Sequence, residues 1–498
     1  MKKIILLPLD ERPCNYDFPY KLFQSDEFQI VRPKELGDKK VPGDIQKIRE
    51  FLLEECKDAY GLIVSVDTLL YGGLIPSRLH KEDVETLKGR LSIFQELKEL
   101  NPQLKIYAFN CIMRCPSYSS ADEEPDYYEY YGEQINKQGI AKHKVVLGME
   151  TEENWLKLRK EIPEDVLKDF EDRRVINRAL NMETILCYKK GYIDALVIPQ
   201  DDSAPLGYTA MDQQEIRALI QRECLTDEII LYSGADEVAL SLAARLINDI
   251  KGVHPKVYVK YATEAAKMMI PKYEGVRLGT TIGFHILSAG CVQVDDEDKA
   301  DIFMVVTAPD DKMEEAFYQP SISPSYTAER NMAEVMRYIV QKLAEGKRVA
   351  IADNAYSNGG ELDLIRMMNK RGIMMDVSAY AGWNTNGNTL GTVMAQAVYD
   401  YHFGVTSQKQ NFLVERYLED MAYCGYVRQN VTKEICDTEL FTFGTKEIQD
   451  KVAAMTKEQL EAFAKEYMPS IADKLEIQHV SMPWKRMFEV RLDATYKA

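Results

Sequence analysis

The sequence contains no CxxC pair, no HxH or HExxH, and no cysteine and histidine at zinc-finger spacing, so no familiar metal-binding spacing is present. Its nine cysteines, an odd number, stand apart at Cys14, Cys56, Cys111, Cys115, Cys187, Cys224, Cys291, Cys424 and Cys436, and read as reduced thiols rather than a disulfide framework. A GxxxxGK loop and a GxGxxG turn are both absent, which removes the usual grounds for nucleotide binding. No serine lies in a GxSxG elbow, which argues against an α/β-hydrolase nucleophile. Positive charge is in deficit, with 62 Lys and Arg against 79 Asp and Glu and a net charge of -17. A phosphate backbone or an anionic membrane surface would be repelled, so neither nucleic acid nor membrane is an expected partner. Apolar runs stay short of the roughly 20 residues needed to span a bilayer. The opening MKKIILLPLDERP passes directly into Asp10, Glu11 and Arg12 without a small-residue cleavage site, and reads as a first strand rather than a signal peptide. The expected location is the cytoplasm and the expected partner a small molecule; composition leaves the oligomeric state open.

What is present is an ordinary globular composition: 46% hydrophobic and 28% charged over 498 residues, with mean hydropathy -0.32. Such a chain can bury a substantial core. Short apolar and β-branched runs recur at 3–9, 61–66, 105–109, 195–199, 228–232, 256–261, 301–306, 348–352 and 374–379. Between them lie segments of helical periodicity, such as Val84, Leu87, Leu91, Phe94 and Leu97 on one face and Met332, Val335, Met336, Ile339 and Leu343 on another. This alternation places the chain in the α/β class, because parallel strands need crossovers and the crossovers carry helices. A (β/α)-barrel is the favoured architecture and an open doubly wound parallel sheet the alternative. The reading divides the chain into an α/β catalytic domain over 1–410, in which 115–173 is a long insertion over the site, and a helical C-terminal region over 411–498.

Polar residues gather where the strand candidates end. The first is followed by Asp10, Glu11, Arg12 and Asn15, the second by Asp67, the Gly72–Gly73 pair and Arg78, the third by Asn110 and Arg114. The fourth ends in Asp201, Asp202 and Ser203, and the fifth in Ser233, Gly234, Asp236 and Glu237. Later candidates end in Asp353, Asn354 and Asn358, and in Trp383, Asn384, Asn386 and Asn388. In α/β folds the carboxyl ends of strands and the N-termini of helices converge on one edge, where unpaired backbone donors meet ligands. Amide-rich and aromatic loops suit a sugar, whose hydroxyls take carboxylate and amide partners and whose apolar face stacks on a ring such as Trp383. Asn and Gly also serve tight turns, and Trp383 is equally a core residue.

Adjacent carboxylates repel and split their pKa values, which supplies one proton donor and one anion. Asp201 and Asp202 are therefore the candidate catalytic pair, although either would also serve as a helix cap before Pro205. Asp10, Arg12, Asn15, Asp67, Arg78, Arg114, Asp236, Asp353, Asn354, Asn358, Trp383, Asn384 and Asn388 are the candidate substrate-binding set. Arg12, Arg78 and Arg114 either grip a carboxylate or phosphate or close internal ion pairs. No cofactor is expected, with a divalent metal held by Asp10, Asp67 and Asp201 or Asp202 as the alternative.

The PLDERP opening, the YGGLIPSR segment after the second strand and the AGWNTNGNTLG segment resemble the bacterial family labelled domain of unknown function 4127, nearly end to end. A fainter resemblance is to O-GlcNAcase-type glycoside hydrolases, barrel enzymes with a paired Asp-Asp, then a WTG-type strand end, then a DNxxxN-type strand end. Here Asp201-Asp202, Tyr232-Ser233-Gly234, and Asp353-Asn354 with Asn358 follow in that order. By that resemblance Asp201 would polarise a substrate acetamido group, Asp202 would act as general acid and base, and Asp353, Asn354 and Asn358 would hold hydroxyls. Tyr232 in place of Trp and Gly359 in place of Asp depart from the pattern. The expectation is a glycoside hydrolase acting on an amino sugar or related small glycoside. The alternatives are a divalent-metal-dependent hydrolase or lyase and a non-catalytic sugar-binding protein.

Overall fold

The computed structural model describes residues 1–435 and 445–497. Cys436 lies outside the described residues. By the density of internal contacts the chain forms two units. The first comprises 1–11, 24–239 and 273–276, and the second 12–23, 240–272 and 277–498.

The first unit is built on six parallel strands: β1 (Lys2–Leu7), β2 (Phe28–Val31), β3 (Gly61–Ser65), β4 (Lys105–Phe109), β5 (Ala195–Gln200) and β6 (Ile230–Ser233), in spatial order β2-β1-β3-β4-β5-β6. Every residue of β3 and of β5 is buried. Strands covered on both faces have no solvent side to alternate towards, which is why GLIVS and ALVIP read as continuous apolar runs. Their side chains join Leu52, Leu87, Phe94, Leu180 and Ile216 from the flanking helices in one core. Each such fully buried aliphatic side chain contributes about 1.5–3 kcal/mol.

The second unit carries β7 (Lys256–Tyr261), β8 (Val292–Gln293), β9 (Ile302–Val306), β10 (Glu314–Glu315), β11 (Arg348–Ala352), β12 (Tyr356–Ser357) and β13 (Ala379–Ala381). Five of these form a parallel sheet in the order β13-β11-β9-β7-β8, and β10 pairs with β12 separately. Val305, Val349 and Ile351 pack on Val335, Met336 and Ile339 of the helix Met332–Ala344 and on Leu364, Ile365 and Met368 of the helix Leu362–Arg371. The chain is thus α/β with alternating strands and helices, as read from the sequence. Among the described residues no strand pairing closes either sheet.

Two details depart from the sequence reading. The last strand candidate of that series, at 374–379, begins later, at Ala379, because the chain first makes a turn in which the Asp376 N–H donates to the Ile373 carbonyl at 3.1 Å. The mostly helical C-terminal region ends in an antiparallel hairpin, β14 (Leu475–Ser481) with β15 (Arg491–Tyr496). Ile477, Val480, Leu492 and Ala494 turn its apolar side to the same core as Leu460 and Phe463 of the helix Lys446–Tyr467.

Candidate functional site

At the carboxyl edge of the first sheet, Ser65 caps the helix Val66–Tyr71 by accepting from the Thr68 N–H at 3.1 Å. The helix stops at Gly72, whose φ of +83° is left-handed and whose added Cβ would meet the Gly43 backbone at 2.7 Å. Asp67, in the first turn, is buried. It accepts from the Cys111 N–H at 2.8 Å and the Asn110 amide at 3.3 Å, so it ties the end of β3 to the end of β4. Burial pushes its carboxyl up to about 6 despite those bonds. Each Asp67 oxygen thus accepts one bond from the residues that follow β4.

Two buried arginines, Arg78 and Arg114, organise the principal cluster. Arg78 donates to Asp201 Oδ2 at 2.6 Å and to Glu123 and Glu124, each at 3.1 Å. Arg114 donates to Asp202 Oδ2 at 2.9 Å, Glu123 at 2.8 Å and Glu124 at 2.7 Å. Four carboxylates thus share two guanidiniums, and each member of the Asp201-Asp202 pair has its own arginine. The side chains of Asp201 and Asp202 remain 19% and 25% exposed, whereas Glu124 is buried with its second oxygen unpartnered among the described residues. Desolvation, then repulsion from Asp201, raises the Asp202 carboxyl to about 6 against the pull of Arg114. Asp202 also holds a left-handed φ of +41°, a conformation uncommon for a residue with a side chain.

Glu123 and Glu124 escaped the sequence reading. They lie in the run SSADEEPDYY, which has the look of a solvated loop, and no local feature announces that both meet arginines from the ends of β3 and β4. Asp10 and Asp236 are buried near the ends of β1 and β6. Ser203 and Ser233 join hydroxyls at 2.6 Å, tying the turn after β5 to the end of β6.

In the second unit Asp353 is fully buried after β11. Its oxygens accept from Thr307 at 3.2 Å, the Glu361 N–H at 2.7 Å and the Tyr380 hydroxyl at 2.8 Å. Gly360 permits this knot, since a Cβ there would lie 2.3 Å from the Tyr380 oxygen. Burial, then the Glu361 charge, lifts Asp353 to about 6. Expected as a sugar-hydroxyl partner, Asp353 instead spends its acceptors on the loops around it. Nearby Asp420 accepts from the Gly382 N–H at 3.0 Å and from Arg416 at 2.8 Å, and burial lifts it to about 8.

Arg12, Asn358, Trp383 and Asn384 line one narrow crevice with about 20 Å³ of free volume. Asn358 and Asn384 both take left-handed φ, +61° and +51°, and the Asn358 N–H donates to the Asn384 carbonyl at 2.8 Å. Trp383 is anchored by its indole N–H to Thr392 at 3.1 Å and lies edge-on to Phe18. Asn354 bonds Asn386, and Asn15, Asn354 and Asn388 are buried. The candidate residues therefore divide: Asp10, Asp67, Arg78, Arg114, Asp201, Asp202 and Asp236 belong to the first unit, and Arg12, Asn15, Asp353, Asn354, Asn358, Trp383, Asn384 and Asn388 to the second. Among the described residues no three His, Cys, Asp or Glu side chains are grouped to hold a metal ion, and no helix is long and apolar enough to cross a membrane.

No curated protein matches the chain. The family described as Protein of unknown function (DUF4127) matches residues 4–493, a span that takes in the arginine–carboxylate cluster and the Trp383 crevice alike. On that match, which covers nearly its whole length, the chain belongs to the DUF4127 family.

Proposed function

We propose that the protein is a carbohydrate-active hydrolase that cleaves a small glycoside of an amino sugar with Asp201 and Asp202. The observation that carries the reading is the pair itself: consecutive carboxylates at the carboxyl end of β5, partly exposed, each held by a different buried arginine. Asp202, raised to about 6, is the proton donor. A group with that pKa is roughly one-tenth protonated at pH 7 and close enough to neutrality to give up and regain a proton in each turnover. Asp201, bonded to Arg78 at 2.6 Å, is the companion anion.

Hydrolysis breaks the glycosidic C–O bond. Asp202 gives its proton to the leaving oxygen, water supplies hydroxide to the anomeric carbon, and the remaining water proton returns to Asp202. Asp201 orients and polarises the acetamido group of the sugar, the role implied by the resemblance to O-GlcNAcase-type enzymes. Arg114 fixes the Asp202 carboxyl in place and tempers the rise in its pKa that burial and Asp201 produce.

The test is turnover of p-nitrophenyl α- and β-glycosides, N-acetylhexosaminides included, by wild type and Asp202→Asn. Wild-type release of nitrophenol, lost by at least 100-fold in Asp202→Asn with an unchanged melting temperature, is the expected result. Absence of turnover across the panel by folded wild type refutes the proposal.

A further inference from the structure

The second unit contains a crevice whose electrostatics ask for an anion. It is walled by Trp383, Phe488, Pro13 and the thiol-bearing Cys14 and Cys424, with Arg12 and Arg428 among its polar residues. Two carboxylates also border it, and each is paired with a guanidinium other than Arg428. Glu419 is held by Arg416, and Glu489 takes two bonds from Arg486 at 2.9 and 3.0 Å.

Arg428 is different. It is buried, and its guanidinium donates to two neutral backbone carbonyls, Phe488 O at 2.8 Å and Asn358 O at 3.0 Å. No carboxylate among the described residues lies within ion-pair distance of it. Two of five N–H donors are thus used, and the positive charge has no opposite charge beside it. A buried cation without an anion is destabilising by several kcal/mol in general, and proteins retain such groups where a ligand supplies the missing charge.

The backbone around the crevice points the same way. Asn358 and Asn384 hold left-handed φ there. Glu419 and Cys424 are presented by a π-helix, Tyr417–Val427, a rare form that is frequent at functional sites. Three unusual backbone features on one small recess go beyond what core packing requires.

We propose that this crevice is a binding site for a small organic acid, with Arg428 taking its carboxylate and Trp383 and Phe488 contacting its apolar face. A carboxylate is favoured because the two N–H donors on the terminal nitrogens left free by the carbonyl bonds can meet its two oxygens together. The crevice has about 20 Å³ of free volume, which limits the acid to a few heavy atoms, as in propionate. The argument for this crevice draws nothing from the turnover assigned to Asp202, so either proposal can fail without the other.

Titration with propionate and with its neutral isostere propionamide, followed by Trp fluorescence and calorimetry, tests it on the full-length chain. Propionate is expected to bind and propionamide to bind at least tenfold more weakly. Arg428→Gln is expected to weaken propionate at least tenfold, Arg428→Lys to restore part of that loss, and Asp202→Asn to leave it unchanged. Equal binding of propionate and propionamide, no binding of either, or undiminished propionate binding by Arg428→Gln overturns the proposal. Should Arg428→Gln fail to fold, Trp383→Phe and Arg428→Lys carry the test, through loss of the fluorescence change and an affinity between wild type and zero.

Discussion

Asp353 offers a test in which a structural and a ligand-binding role give opposite results. A carboxyl that waits for sugar hydroxyls titrates near the ordinary value of 3.8, and its amide replacement weakens substrate binding with little effect on folding. The structure instead encloses Asp353 among Thr307, Tyr380 and the Glu361 N–H, and raises it to about 6. A carboxyl whose folded pKa lies above its unfolded one binds its proton more tightly when folded. Its contribution to stability is complete below pH 3.8 and is lost as pH rises through about 6. At about 1.4 kcal/mol per pH unit, the interval amounts to about 3 kcal/mol. Asparagine can keep the three contacts, its oxygen accepting from Glu361 N–H and Tyr380 and its amide donating to Thr307, and it cannot ionise. The stability of Asp353→Asn relative to wild type is therefore expected to rise by up to about 3 kcal/mol between pH 4 and pH 7.5. Alanine leaves the Glu361 N–H and the Tyr380 hydroxyl buried without an acceptor, and is expected to lose about 2–6 kcal/mol at pH 4. Urea unfolding followed by Trp fluorescence at a series of pH values reads both. A stability difference between Asp353→Asn and wild type that stays flat across this range refutes the assignment of Asp353 as a buried structural carboxyl.

Further outcomes follow from the same geometry. The kcat/KM of the glycosidase reaction is expected to fall as pH rises above about 6, where Asp202 loses the proton it must donate, and a pH–rate profile rising through that range contradicts the role. Asp201→Asn removes the neighbouring negative charge, so the Asp202 titration, followed by NMR of labelled aspartate, is expected to move below 6; an upward move shows that repulsion from Asp201 is not at work. Arg416→Met strands Glu419 and Asp420 without their cation and is expected to destabilise the fold by about 3–5 kcal/mol in urea unfolding at pH 7. Gly360→Ala brings a methyl group against the Tyr380 hydroxyl and Asp353, and a melting temperature equal to wild type contradicts the close approach there.

The strands that could be read from the sequence are those whose physics is local. The runs in β3, β5 and β9 are apolar throughout because both faces are covered, and the end of each is marked by the polar residues that follow. β2 passed unread because FQIV is a four-residue edge strand whose alternating burial leaves little apolar signal. The hairpin β14–β15 passed unread for a similar reason, with Glu, Gln and His interleaved among its buried residues. The Asp201-Asp202 pair and the arginines Arg78 and Arg114 were visible as residues at strand ends. Their pairing, one arginine to each aspartate, was not.

By itself the sequence determined the α/β class, because the period of apolar residues switches between strand and helix along one chain and needs no distant partner. It also determined the strand ends as the place where polar chemistry collects, because a strand buried on both faces can turn polar only where it leaves the sheet. Tertiary structure alone decided that the strands divide into sheets of six and five, since an alternating βα pattern is the same whichever strands later pair. It alone decided that Asp67 and Asp353 are bonded by the loops around them while Glu123 and Glu124 join the arginines. A carboxylate's role is set by the donors that reach it and the water it loses, and those donors come from other segments of the chain.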